Sequence, residues 1–546
     1  MKRKGATSVK LILILVFITS IILPLVQMFL NITPESIHSV VGNGRFGLVV
    51  GNSLKVSIVS TVISVSLALL LSFCITRSRI RGKGIFRIIL TLPMLIPSIS
   101  HGMGLIILFG ANGIITNTFN LTGNIYGFHG IVIGSVMYSF PVAFLMMSDV
   151  LNYEDASPYE AAEVLGISKL RQFLDITLPY LSKSLISVVF TVFTMIITDY
   201  GVPLMIGGNY TTLPSMMYQE IVGLLDFGKG SVIGSMLLLP AVAAFIIDLL
   251  KQDTGRTGYV TKRLKPRRNK ARDRICYTLC ILSGLVVIIP IATFVLLTFV
   301  TRYPLDMSFT FDHIAKTFSM KGNTYFLNSL IVSAFVAVAG TAVAYLTAYC
   351  TARMQSLASR ALHLISIASM AIPGLVLGLS YVLFFKGSWL YGTLAILVLV
   401  NCVHFFASPY LMIYNSFNII NKNLEDVGAT LNISRPRIIK DVLIPQTKDT
   451  LLEMMSYFFV NSMMTISAVS FLTNVNTKQL ALMITQFETV RLMECAAFVS
   501  LMILFVNLSV KALFHIIKKR LRKNKSVVVT QINIEDESNE DFKATV

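Results

Sequence analysis

Apolar blocks separated by short polar or basic segments repeat along the whole chain, and their lengths fit the roughly 20 residues a helix needs to cross a bilayer. They predict spans near 11–30, 51–76, 86–110, 128–150, 183–204 and 231–250. Six more follow near 276–300, 328–350, 363–385, 393–413, 449–472 and 494–515. The expected fold class is all-α and polytopic, with about 12 transmembrane helices. The first block follows MKRK but lacks a small-x-small cleavage site and is too long for a signal's apolar core. It reads as an uncleaved span.

The blocks are two copies of one pattern. Pro24 in the first span corresponds to Pro290 in the seventh, an offset of 266. NSLKVS at 52 corresponds to NSLIVS at 328, and LPMLIPSI around Pro97 to SMAIPGLV around Pro373, both at offset 276. Pro141 corresponds to Pro409 at 268, and Pro179 to Pro445 at 266 again. Such drifts predict loop insertions and deletions. Six spans is an even number, so both copies enter the membrane in the same direction. That makes parallel six-helix repeats related by a pseudo-twofold axis along the membrane normal, with a solute path between them. The expected organisation is a first repeat over 1–250, a basic linker over 251–275, a second repeat over 276–515 and a tail over 516–546. The tail turns from basic to acidic, has little apolar surface and is expected to be disordered.

One polar stretch interrupts each copy. In SPYEAAEVLGISKLRQFLDITLPYL, from 157, Ser157 precedes Pro158 and Glu160 stands three residues after the serine. This predicts a capping box with proline at the first helical position. Gly166 is placed to end that helix in the left-handed conformation. Ser168 can cap a second helix that stops before Pro179. Ala161 and Ala162 leave one side low, suited to close docking against another protein. The second copy, NLEDVGATLNISRPRIIKDVLIP over 423–445, keeps these instructions with other side chains. Asn423 and Asp426 form the cap arrangement, Ser434 repeats Ser168, and Asn432 falls where Gly166 stood. Asparagine is the next-best residue for a left-handed position. A segment that merely joined spans would need none of this twice on one face.

Composition agrees: 54% of residues are hydrophobic and 13% charged, about half the charge of a soluble protein. Of the 46 Lys and Arg, 36 fall in segments on the N-terminal side of the membrane, with Arg87 and Lys183 at the span edges counted among them, and 8 in segments on the other. The positive-inside rule then puts both termini in the cytoplasm. A net charge of +19 invites a nucleic-acid reading, but the bases sit at membrane boundaries, over 77–87, 261–274 and 518–525. Topology and anionic lipid account for them there, so no nucleic-acid partner is expected. The six cysteines lie in or beside apolar blocks without disulfide or metal spacing. No metal site is expected. GLLDFGKG at 223–230 follows the phosphate-loop pattern up to its lysine, but Gly230 stands where Ser or Thr should reach magnesium. With no HExxH or GxSxG and seven scattered histidines, no catalytic residue is assigned. The chain is not expected to be an enzyme, and any ATP must be hydrolysed elsewhere.

EAA, a glycine after three further residues, and then ITLP resemble the EAA motif of ABC transporter permeases of the binding-protein-dependent import type. Glu160, Ala161, Ala162, Gly166, Ile176, Leu178 and Pro179 fit it fully. Asp426, Val427, Gly428, Asn432, Val442, Ile444 and Pro445 occupy the same places as a degenerate match. The resemblance covers essentially the whole chain, as two fused halves. It implies that each hairpin is a coupling helix seated in one of two cytoplasmic ABC ATPase subunits. ATP and magnesium would be bound there, with no cofactor in this chain. It also implies an external solute-binding protein and a place in the inner cell membrane among its lipids. Fused permeases of this shape resemble those for ferric iron, 2-aminoethylphosphonate, thiamine and polyamines. The segment from Thr198 to Gly223, with DFGKGSVIG and LLLP after it, looks most like the phosphonate and ferric-iron branch, and leans to phosphonate.

Asp199 lies near the external end of the fifth span, beside Tyr200, Gly201 and Pro203, where a helix can break. An acid at a helix break and membrane depth is a candidate for the solute path. Ser467 and Ser470 lie at the matching place in the second copy, while Glu453 and Glu494 draw weaker attention. The competing reading is an ion-coupled secondary transporter. It would share the parallel halves, but would carry buried charge pairs and has no use for two capped hairpins.

Overall fold

Prolines decide where the spans break and where they merely bend. The computed structural model describes residues 4–42, 44–251, 264, 266, 269–303, 305–421 and 423–543. Its first half contains α1 (Ser8–Leu30), α2 (Phe46–Arg77), α3 (Ser98–Phe109), α4 (Phe128–Asn152), α5 (Leu178–Ile197) and α6 (Phe227–Lys251). The second contains α7 (Lys270–Phe299), α8 (Asn323–Ala348), α9 (Gly374–Phe385), α10 (Ala407–Ile419), α11 (Ile444–Met464) and α12 (Met493–Lys543). Among the described residues, eight helices are long and apolar enough to cross a membrane, and three bent pairs bring the number to eleven. The remaining expected span is α11, which carries Lys448, Asp449 and Glu453.

The expected span 393–413 is broken between Leu394–His404 and Ala407–Ile419, which meet at 53°, and two more are broken at a proline. Ile96 and Ile372 are extended (φ −119°, ψ 151° and φ −98°, ψ 113°), each just before a proline. A proline ring pushes the preceding residue out of the helical region. Helix Leu357–Ala368 and the turn after it therefore meet α9 at 110°. Two other expected spans, 183–204 and 449–472, overshoot. α5 stops at Ile197 and α11 at Met464, and the chain then turns back. In the first half it forms short helices Gly201–Ile206 and Leu213–Tyr218, and in the second a run of turns and then Ala481–Thr489.

Elsewhere proline is absorbed. Widened π turns at Ile18–Ile22, Phe173–Thr177 and Ile439–Leu443 each end two residues before Pro24, Pro179 or Pro445. A wider turn relieves the clash between a proline ring and the carbonyl one turn back. The helix expected to stop before Pro179 instead continues into α5, the stretch Lys169–Ser182 meeting Ser184–Ile197 at 58°.

The offset drifts have structural causes. The rise from 266 to 276 is the antiparallel hairpin β1 (Val300–Arg302) and β2 (Asp306–Phe309), the only sheet among the described residues. The fall to 268 reflects helix Ile114–Phe119, which the shorter loop before Leu394 lacks. Most of the predicted linker lies outside the described residues. The tail differs from expectation: α12 continues as helix to Lys543. Extending an existing helix needs no new nucleus.

The halves are interlocked through their first helices. α1 packs on α9 and on helix Leu357–Ala368 of the second half, while α7 packs on α3 and on helix Lys83–Thr91 of the first. In lipid, such contacts are held by close packing and hydrogen bonds rather than by hydrophobic expulsion. Phe17 meets Phe406 edge-on at 4.9 Å, Tyr381 Oη donates to the Ser20 carbonyl at 2.7 Å, and Ser100 and Ser500 hydroxyls are 2.9 Å apart.

Candidate functional site: two polar hairpins and a central cavity

Both hairpins begin alike, and neither as expected. Asp155 Oδ1 accepts from the Ser157 amide at 3.2 Å, and Asn421 Oδ1 accepts from the Asn423 amide at 3.0 Å. These Asx turns replace the Ser157–Glu160 and Asn423–Asp426 caps. A capping side chain needs an extended backbone, and Ala156 and Asn423, the residues at the two cap positions, are helical (φ −77°, ψ −23° and φ −80°, ψ −5°).

The ends match expectation. Helices Ser157–Val164 and Leu424–Thr430 close at Gly166 (φ +67°) and Asn432 (φ +55°). The Ile167 amide reaches the Ala162 carbonyl at 2.9 Å, and the Ile433 amide the Gly428 carbonyl at 2.7 Å. That is one left-handed stop, made twice with different residues. Ser168 Oγ accepts from the Arg171 amide at 3.4 Å, whereas Ser434 keeps the extended cap backbone without a side-chain bond.

Inside the hairpins the residues at matching places differ in size. Ala162 is buried, so only Ala161 of the pair is presented outward. At the equivalent Gly428 a Cβ would lie 2.4 Å from Ile438 Cδ1. Gln172 stands at Ile438's place in the first hairpin and donates to the Ile167 carbonyl at 2.8 Å. Glu160, Gly166 and Pro179 are exposed, as are Asp426, Val427, Asn432, Ile444 and Pro445, while Ile176, Leu178 and Val442 are half-buried. The tips are greasy: Val164 is 89% exposed and Leu431 66%. Burial pushes the Tyr159 phenol above its ordinary value, so it stays protonated and donates to Glu154.

A cavity of about 570 Å³ lies between the halves. Asp199, Tyr138 and Thr194 line it from the first half, and His404, Asn461 and Ser467 from the second. Asp199 accepts from the Val202 amide at 3.0 Å and the Gly201 amide at 3.4 Å, so it also caps helix Gly201–Ile206. The lining includes this one carboxylate and no Lys or Arg among the described residues.

The sequence matches, twice, the family described as "Binding-protein-dependent transport system inner membrane component", over residues 60–252 and 340–523. The chain belongs to this family. Like its relatives it is a multi-pass permease of the ABC import type. The "Ferric transport system permease protein FbpB" of Actinobacillus pleuropneumoniae is 26% identical over 496 residues, covering 85% of this chain and 71% of the relative. The "Putative ferric transport system permease protein FbpB 1" of Haemophilus influenzae is 26% identical, covering 86% and 78%. A "Sulfate transport system permease protein CysT" from Salmonella typhimurium is 28% identical over 211 residues, covering 37% of this chain and 76% of the relative.

The permease does not bring all the expected path residues together. Ser467 and Asp199 line the cavity. Tyr200 does not; it is buried, its hydroxyl is 2.7 Å from Ser470 Oγ, and its ring stacks on Tyr218 at 4.9 Å. Tyr200 and Ser470 thus tie the halves together instead of facing a solute. Pro203 is buried within helix Gly201–Ile206. Glu453 pairs with Lys518, and neither it nor Glu494 lines the cavity.

Gly201 has a steric role. A Cβ there would lie 2.4 Å from Ser98 Oγ and 2.8 Å from the Ile99 nitrogen. The second half makes the same contact with the partners exchanged: a Cβ on Gly374 would lie 2.2 Å from Ser467 Oγ.

Sequence reasoning missed His404 and Asn461. Each is a polar residue in an apolar run, the signal that was available. His404 Nδ1 is buried with no protein partner among the described residues. The repeated NSL triplets also gain a role. Ser53 Oγ accepts from the Leu213 amide and Ser329 Oγ from the Leu480 amide, both at 2.7 Å, which pins each returning segment to its second helix. Lys229 of the false phosphate loop is held by Asp226 at 3.3 Å and Glu220 at 3.7 Å.

Proposed function

We propose that the two hairpins are the seats of two cytoplasmic ABC ATPase subunits, which bind ATP and magnesium, and that the cavity at Asp199 is the solute path they open. An extracytoplasmic binding protein delivers the solute, and both termini are cytoplasmic. The observation that carries this reading is the duplicated hairpin. The same left-handed stop and the same closing backbone hydrogen bond recur in the two halves despite different side chains. Selection on backbone shape with free exposed side chains suits a part that fits a partner's groove.

The cargo we favour carries positive charge. One carboxylate and no Lys or Arg in the lining suits a ferric ion, the cargo named for the FbpB relatives; 2-aminoethylphosphonate would offer the carboxylate its ammonium end, but its phosphonate end would find no cation there. The lining suits a bare oxyanion poorly, because an anion at membrane depth needs an opposite charge.

The test is co-purification of the tagged permease with its ATPase, comparing wild type with Gly166→Val and Asn432→Val. Release by either variant with the bundle still folded supports the seat, and retention by both overturns it. Uptake of radiolabelled ferric iron and of 2-aminoethylphosphonate, in wild type and Asp199→Asn, then assigns the cargo. An unchanged Asp199→Asn rate for every transported solute removes Asp199 from the path.

A further inference from the structure

Each hairpin is gripped from within by an arginine at the end of the second helix of its half. In the first half, Arg77 closes α2; its guanidinium pairs with buried Glu154 and lies over the Tyr159 ring, 5.6 Å from the centroid. Tyr159 lies in the first hairpin helix, donates to the same Glu154, and sits 2.6 Å from Thr177 Oγ1. In the second half, Arg353 ends the π turn Tyr349–Arg353 that continues α8. Its Nε and Nη2 meet the two Glu425 carboxylate oxygens at 2.7 and 2.5 Å. The same guanidinium donates to the carbonyls of Ile420 at 2.8 Å and Asn421 at 2.7 Å.

Glu425 corresponds to Tyr159 at offset 266, and Arg353 to Arg77 at offset 276. One place in the hairpin therefore meets one place on the second helix, through a ring in the first half and a carboxylate in the second. A bidentate arginine–carboxylate pair fixes orientation as well as distance. The side-chain exposure of Arg353 is 2%. A charge buried that deeply is strongly tied to its partner, because separating the two leaves it uncompensated.

The residues just after each arginine are bonded to the first helix of the opposite half. The Arg79 amide donates to Asp273 Oδ1 at 3.1 Å, near the start of α7. Lys10, on α1 and 6% exposed, donates to the Met354 carbonyl at 2.6 Å and to Ser356 Oγ at 3.0 Å. The crossing is reciprocal.

We propose that Arg77 and Arg353 are positioning residues for coupling: each makes its hairpin and the end of its second helix one rigid piece, and the Asp273 and Lys10 bonds carry that piece's displacement into the other half. A push on either hairpin then moves both halves, so the path opens as one event. This rests on the reading of the hairpins as motor seats. It predicts that breaking the linkage leaves docking and ATP hydrolysis intact and lowers the solute moved per ATP.

The experiment uses the full importer, permease with its ATPase and binding protein, in proteoliposomes, and reads uptake and ATP hydrolysis together. Arg353→Lys keeps the charge but loses the fork. It is expected to retain the ATPase and hydrolyse ATP within about twofold of wild type, with uptake per ATP down about tenfold. Lys10→Met is expected to lower uptake per ATP severalfold, and Lys10→Arg, which can still donate to both acceptors, to restore it. The double variant Arg353→Lys with Lys10→Met should be no worse than Arg353→Lys alone, since both cut one route.

Unchanged uptake per ATP in Arg353→Lys and Lys10→Met, or multiplied losses in the double variant, overturns the proposal. If Arg353→Lys fails to assemble, the Lys10 pair decides alone: loss in Lys10→Met with recovery in Lys10→Arg supports the linkage, and no loss overturns it. Failure of the wild-type permease to bind any ATPase would instead sink the motor-seat reading, which the same preparation reports separately.

Discussion

The two halves solve the same mechanical problem with exchanged parts. Where the first has Gly201 against Ser98, the second has Ser467 against Gly374. Where the first hairpin has Ala162 and Gln172, the second has Gly428 close against Ile438. Gly166 and Asn432 both turn left-handed, and Arg77 and Arg353 both reach their hairpins. The backbone path and the fit between neighbours persist, while individual side chains do not. A motif read position by position therefore makes the second hairpin look more degraded than it is, because half of each change is matched by a change in its neighbour.

That equivalence can be broken most sharply at the glycine–serine contact. Gly201→Ser should clash with Ser98 and destabilise by about 3 kcal/mol or more, the upper range for overpacking a tight site, abolishing uptake. Adding Ser98→Gly recreates the residue pair of the second half and should restore part of the melting temperature in detergent, the Ile99 nitrogen 2.8 Å from the new Cβ still opposing it. No rescue would mean that the two contacts are not equivalent.

Next come the serines that pin the returning segments. Ser53→Ala and Ser329→Ala each leave a buried backbone N–H without its acceptor, a loss of about 1–3 kcal/mol. Thermal unfolding should place the two variants close together, and a silent Ser329→Ala would show that the second returning segment is held some other way.

The hairpin stops should respond more gently. Gly166→Asn is expected to cost under about 1 kcal/mol, because asparagine tolerates the left-handed region. Asn432→Gly should be near neutral, and neither should release the ATPase in co-purification. The smallest effects are expected at Leu225 (φ +54°) and Arg491 (φ +59°), left-handed residues at matching places after the returning segments. Glycine there should change stability by only about 0.5 kcal/mol, strain relief being opposed by the greater freedom of the unfolded chain. Unequal shifts in melting temperature would show that one of the two carries extra strain.

The sequence by itself determined whatever depends on neighbours in the chain. Spans follow from the length of an apolar run, the repeat from matched prolines and NSL triplets, and the hairpin stops from Gly166 and Asn432. These are local rules, and a bilayer enforces them strongly because unpaired backbone groups have no water to turn to. The tertiary structure decided what depends on distant partners. The caps moved to Asp155 and Asn421 because the backbone at Ala156 and Asn423 is helical. The spans at 183–204 and 449–472 ended early, and the returning chain beyond each is held by Ser53 or Ser329, well over a hundred residues away. Asp199 and Ser467 face the cavity while Tyr200 and Ser470 clasp each other, though all four look alike as polar residues at a break. The crossing of Lys10 and Asp273 into opposite halves has no local signature. Apolar spans look alike whether they face lipid or protein, so which helix meets which is set by shape and hydrogen bonding in three dimensions.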